Sequence, residues 1–305
     1  MKGLELAKAY YEAYGLPMLK RDFADVRERI AVGLCGHGSE CFGFDDAVSR
    51  DHDFEPGFCL WITDEDERAF GFRLFRAYSK LPGEFDGVRA QKKSLFGSDF
   101  KGVHTISQFY FFYIGDHVPK TNMEWLGIPD TYLAEATNGA VFDDPLGEFT
   151  RVRQALLNRP ADVELKKLSS SIFYMAQLGQ YNYARCLKHG EQAAAALALA
   201  DFCRHTAQAV HLLNHAYAPY YKWLFRSMGA LPLLGDRMGA LEGLMAAPLD
   251  REKNIPVVER LCADVADALR RRGLAACGGD YLEPYAYEVG EHISDGELRN
   301  MPVML

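Results

Sequence analysis

Apolar and aromatic positions recur at helical spacing from the start of the chain, at Leu4, Ala7, Tyr11 and Tyr14, until Gly15 and Pro17 interrupt the pattern. This predicts a leading helix over 4–20, and a second amphipathic stretch runs from Phe23 to Ile30. Two short apolar runs follow, Ile30-Ala31-Val32-Gly33-Leu34 and Phe58-Cys59-Leu60-Trp61-Ile62, each with the length and composition of a buried strand. Thr63 stands where an N-cap is needed for a helix over 64–80 that ends before Pro82. Val103 to Ile114 is rich in β-branched and aromatic residues and reads as a strand grading into another element, with Val141-Phe142 as a last edge strand.

Beyond Pro145 the pattern changes. Phe149–Asn158, Val163–Gly179, Gln192–Tyr217 and Pro256–Arg272 are all helix-compatible, and strand signals are few. The expected fold is therefore α/β (α+β), a small mixed sheet with helices over 1–150, followed by an all-helical domain over 151–305.

Composition narrows the classes. A 305-residue chain that is 49% hydrophobic and 25% charged is ordinary globular material. Its formal net charge of -8 argues against a protein that wraps a nucleic-acid backbone, a mode that needs an excess of Lys and Arg. No apolar run approaches the roughly 18 residues of a membrane span, and Met1-Lys2-Gly3-Leu4-Glu5 lacks the order of a signal peptide. The seven cysteines are scattered and form no C-x-x-C pair, so reduced, mostly buried thiols and a cytoplasmic location are expected.

The chemistry concentrates between the first two predicted strands, in Gly36-His37-Gly38-Ser39-Glu40 and Ser49-Arg50-Asp51-His52-Asp53. A glycine-rich turn after a strand lets backbone N–H groups approach an anion, and a serine hydroxyl adds a donor. In an extended segment Asp51 and Asp53 project to the same face while His52 points away. Convergent carboxylates suit Mg²⁺, which prefers carboxylates plus substrate phosphates, and two such ions can hold the attacking and leaving oxygens of a phosphoryl transfer. The glycines spell neither G-x-G-x-x-G nor a P-loop.

Together these residues resemble the polymerase-β-like nucleotidyltransferase superfamily, and within it a bacterial nucleotidyltransferase-like family of unknown role. Gly43-Phe44-Asp45-Asp46, Val141-Phe142-Asp143-Asp144-Pro145-Leu146-Gly147 and Tyr217-Ala218-Pro219-Tyr220-Tyr221-Lys222-Trp223 extend the resemblance over most of the chain. It implies a Mg²⁺ (or Mn²⁺) dependent enzyme that moves a nucleoside monophosphate from a nucleoside triphosphate, ATP foremost, to an acceptor. That acceptor would be a small molecule or a protein. By the same resemblance Gly38 and Ser39 contact the triphosphate, and Asp51 and Asp53 hold metal.

The superfamily's third carboxylate has no simple counterpart, because the expected strand reads Lys101-Gly102-Val103-His104-Thr105. Asp144 is the best substitute and is equally well a turn-forming residue. His104 is either a base or a structural histidine. In the helical half, Lys222 is a candidate phosphate contact, with the neighbouring aromatics expected to fill a helix junction started by Pro219. Gln180, Asn182 and Arg185 are candidates to line a cleft or else an exposed helix face. His211 and His215 have the spacing of a zinc pair but lack the glutamate and third ligand, and a packed or surface pair is expected. The alternative to an enzyme is a nucleotide-binding sensor or interaction module that has lost turnover, for which Gly102 is the main support.

Overall fold

The computed structural model describes residues 1–46, 54–89 and 101–305. It is a mixed α+β protein with a helical C-terminal part. Four strands make the main sheet: β1 (Ala31–Leu34), β2 (Cys59–Ile62), β5 (Gly102–Thr105) and β6 (Ala140–Asp143), in the order β5-β2-β1-β6. A separate hairpin joins β3 (Glu84–Phe85) to β4 (Val88–Arg89). In the main sheet β1 runs antiparallel to both β2 and β6, while β2 and β5 are parallel and pair Cys59 with Gly102.

Both runs read as buried strands are fully buried, and their side chains divide by the period of two that a strand imposes. Ile30, Val32, Leu60 and Ile62 pack with Tyr10, Tyr11, Leu19 and Phe23 of the N-terminal helical segment. On alternate positions Trp61 stacks on Phe149, with ring centroids 3.8 Å apart.

Gly15 and Pro17 do not interrupt the leading helix. A π-helical turn, Tyr11–Gly15, connects Gly3–Tyr10 to Leu16–Asp22, and Pro17 sits in the first turn of the latter, where its missing N–H costs least. The amphipathic stretch after Phe23 contains only a 3₁₀ turn, Arg27–Arg29. Thr63 caps as expected, its hydroxyl accepting from the Asp66 amide at 3.2 Å. The aromatic region after Val103 becomes a helix at Ile106–Ile114 because Thr105 and Gln108 form a capping box.

By internal packing the chain divides into two compact units, Met1–Val118 with Tyr132–Asn158, and Pro119–Thr131 with Arg159–Leu305. The second is built on the helices Ala161–Met175, Gln192–Leu213 and Arg251–Arg271 around a core that includes Ile172, Tyr183, Phe202, Leu269 and Tyr285. Cys35, Cys41, Cys59, Cys203 and Cys262 are buried, and all seven cysteines are free thiols.

Candidate functional site

The glycine-serine turn begins where β1 ends. Gly36 and Gly38 adopt φ of +120° and +114°, a left-handed region that residues with a side chain rarely enter. A Cβ on Gly38 would also lie 2.8 Å from a Glu40 carboxylate oxygen. Asn138 fixes the entrance to the turn: its carboxamide accepts from the Gly36 amide at 2.8 Å and donates to the Gly36 carbonyl at 2.7 Å. The Ser39 carbonyl accepts from Phe42 and Phe44 and closes the exit. Between these anchors the amides of Gly38 and Ser39 and the Ser39 hydroxyl donate to no described residue. Ser39 is half-buried.

Beneath the turn lies a charge pair. The Glu40 carboxylate and the Lys101 ammonium are 3.5 Å apart with both side chains nearly buried, and Lys101 donates to the Glu55 carbonyl at 2.9 Å. Lys101 thereby offsets a negative charge that would oppose an anion above it. Asp45 is also buried. One of its oxygens accepts from the Gly3 amide at 2.8 Å, and the other has no hydrogen-bond partner. Burial pushes the Cys35 thiol up to about 12 and raises Cys41 as well, so neither cysteine supplies a thiolate here.

Asp51 and Asp53 lie outside the described residues. Asp144 is described, and its carboxylate is engaged in a turn: one oxygen accepts from the Gly147 amide at 3.0 Å and the other from the Thr150 amide at 2.8 Å. It thus satisfies exposed donors at the start of the helix Glu148–Leu157, the turn role of the two weighed for it. Its neighbour Asp143 pairs with Arg27, which also donates to the Ile30 carbonyl. Gly102 has open space where a Cβ would project, but its φ of +134° would strain any other residue. Backbone conformation, not crowding, keeps an acid from that position. His104 lines a cavity of about 220 Å³ with Phe72 and Phe75.

The remaining candidates belong to the second unit. Lys222, the candidate phosphate contact, is exposed, its ammonium 5.1 Å from the Trp223 ring centre. Tyr220 and Tyr221 are exposed instead of filling a junction, and the new helix starts at Tyr221, not at Pro219. Arg185 is exposed and stacks on Tyr181, while Asn182 is half-buried in a π-helical segment. Gln180 joins helices, binding Glu259 and the Asp280 carbonyl and accepting from the Leu282 amide. The two histidines point to different partners, His211 to the Ala207 carbonyl and the Ser227 hydroxyl, and His215 to Glu164, so they form no metal pair.

Asn138 and the Glu40–Lys101 pair are the parts of this site that the sequence reading missed. Asn138-Gly139 carries an ordinary turn signal, and nothing local says that the asparagine reaches back to Gly36.

A family model described as a domain of unknown function (DUF4037) matches residues 125–224. No curated protein matches the chain. A solved structure of a nucleotidyltransferase-like protein from Exiguobacterium sibiricum is similar at 10% identity and a TM-score of 0.35, over 92% of this chain and 80% of that one.

Proposed function

We propose that the first unit binds a nucleoside triphosphate, ATP foremost, through the Gly36–Ser39 turn and transfers its nucleoside monophosphate to a small-molecule or protein acceptor. One observation carries this reading: a rigid turn directly after β1 presents the Gly38 and Ser39 amides and the Ser39 hydroxyl with no described partner. Successive amides in such a turn form an anion-binding concavity.

Among the described residues no group of three His, Cys, Asp or Glu is arranged to hold a metal. The ligands for Mg²⁺ (or Mn²⁺) would be Asp51 and Asp53, on the spacing of the Asp-x-Asp pair and the family resemblance. When bound, the divalent ion supplies neutralising charge to the triphosphate. The chain's own contribution is to fix the phosphates through the turn and to keep Glu40 neutralised by Lys101.

A second reading has its own support. Both Asp144 oxygens already accept from amides, and the Gly102 backbone disfavours an acid, so a nucleotide-binding sensor without turnover is the alternative. The test is the thermal midpoint of wild type and of Asp51→Ala/Asp53→Ala across nucleoside triphosphates, with and without Mg²⁺. A Mg²⁺-dependent rise that the double variant loses is expected, because a ligand of the native state must raise the midpoint. No rise with any nucleotide would overturn both readings. Pyrophosphate release in the presence of acceptors then separates enzyme from sensor, and Asp144→Asn lowers it only if Asp144 serves turnover.

A further inference from the structure

The second unit carries a half-open pocket of about 680 Å³, walled by the segment before Thr131 and the helices Ala161–Met175, Gln192–Leu213 and Tyr221–Gly229. Its size is that of a small-molecule site. Every lining residue except Leu305 falls within 125–224, so one continuous part of the chain builds almost all of it.

Most of the wall is apolar, with Ile128, Leu212 and Leu224 among its residues. Three polar side chains on it have no described partner: His205, whose Nδ1 is buried, Ser171 and Gln208. Ser171 is only 6% exposed, yet its hydroxyl bonds to no described residue, whereas its neighbours are used: Ser169 donates to the Ala286 carbonyl at 2.7 Å and Ser170 accepts from the Leu305 amide at 3.1 Å. The Gln208 carboxamide likewise has no described partner. On this wall the buried, unbonded atom is His205 Nδ1, and a buried polar atom without a bond is rare enough to call for a ligand or water.

The charged residues on the wall are already compensated. Lys167 donates to Asp130 at 2.6 Å and to the Ile128 carbonyl at 2.9 Å; Asp130 also pairs with Arg159, which holds Glu164 at 2.9 Å. Two cations thus face two carboxylates. Arg204 pairs with Asp201 at 2.8 Å. The charged side chains of the wall thus leave none of their number free to pair with a charged guest. Tyr174 and His205 stack with centroids 4.4 Å apart and planes within 16°, giving the wall a flat aromatic element. Burial pushes His205 down to about 4, so this ring is uncharged at neutral pH.

We propose that this cavity binds an uncharged, planar aromatic molecule bearing hydrogen-bonding groups, with Ser171 and Gln208 as its polar contacts and the Tyr174–His205 pair as its stacking wall. The site lies wholly within the second unit and does not rest on the nucleotide reading.

The test is saturation-transfer NMR on the full chain with phenol and indole as uncharged probes and benzoate and benzylammonium as charged ones. Phenol and indole are expected to bind saturably, about tenfold more tightly than either charged probe. Ser171→Ala and Gln208→Leu remove hydrogen-bonding atoms with little change of shape, and phenol binding should weaken about three- to tenfold in at least one of them. Their thermal midpoints without probe confirm that both fold. The proposal fails if neither uncharged probe binds saturably, if the charged probes bind as well, or if both variants bind phenol as wild type does.

Discussion

The two units treat their polar groups in opposite ways. In the first, backbone geometry leaves donors open: positive-φ glycines and the Asn138 clamp hold the Gly38 and Ser39 amides where no described group meets them. In the second, charge is compensated side chain to side chain, through Arg159, Asp130, Lys167 and Glu164, and its cavity is left with uncharged groups unpaired. A site for an anion needs unsatisfied donors, whereas a balanced network offers a charged ligand little. The contrast is the basis for proposing phosphate binding in the first unit and neutral recognition in the second.

The strongest way to break this comparison is to unbalance the second unit. Arg159 has a side chain only 4% exposed between Asp130 and Glu164, and Arg159→Ala leaves two carboxylates without it. A loss of about 3–5 kcal/mol in urea unfolding is expected. A change below about 1 kcal/mol would mean that the network is not the structural element described.

His205 sharpens the same point through pH. Its folded pKa is lowered, first by burial and then by Arg204, from 6.5 to about 4. The folded state therefore binds the proton less readily than the unfolded chain, and stability present above about pH 6.5 is lost as pH falls towards 4. The loss should be on the order of 3 kcal/mol, and His205→Phe should flatten that part of the stability curve. An unchanged curve would place the acid sensitivity elsewhere.

In the first unit the expected effects fall on binding. The Ser39 hydroxyl caps nothing, so Ser39→Ala should leave unfolding unchanged while weakening nucleotide binding by about fivefold, the worth of one hydrogen bond. Titration calorimetry with MgATP and with its Ser39→Ala variant reads both quantities when paired with a melt. The smallest effects belong to Lys222→Ala and Arg185→Ala, whose side chains are exposed and rest on aromatic rings. Each should shift stability by no more than about 0.5 kcal/mol. A larger loss of nucleotide affinity in either would bring the helical unit into phosphate binding.

How much of this was legible follows from the range of the interactions. β1 and β2 could be read because each is a short apolar run buried on both faces, and the change at Pro145 could be read because helical periodicity is local. The π-helical turn at Tyr11–Gly15 could not, since Gly15 and Pro17 carry the same stop signal whether a helix ends or absorbs an extra residue. Pro119–Thr131 packs with the helical unit although it precedes Tyr132–Asn158, which packs with the sheet, and no local pattern encodes that exchange. The Gly-Ser turn was legible as a motif, but what holds it open was not, because Asn138 lies 102 residues from Gly36. Asp144 was ambiguous for a plain reason: turn formation and metal binding ask for the same carboxylate, and sequence alone does not show the two amides it accepts from.

The most direct test of the account is amide hydrogen exchange of the full chain with and without MgATP. If the turn holds the triphosphate, the amides of Gly38 and Ser39 gain protection that Asp51→Ala/Asp53→Ala abolishes. Exchange in peptides covering 36–44 that stays unchanged at saturating MgATP, or protection confined to the second unit, would contradict it.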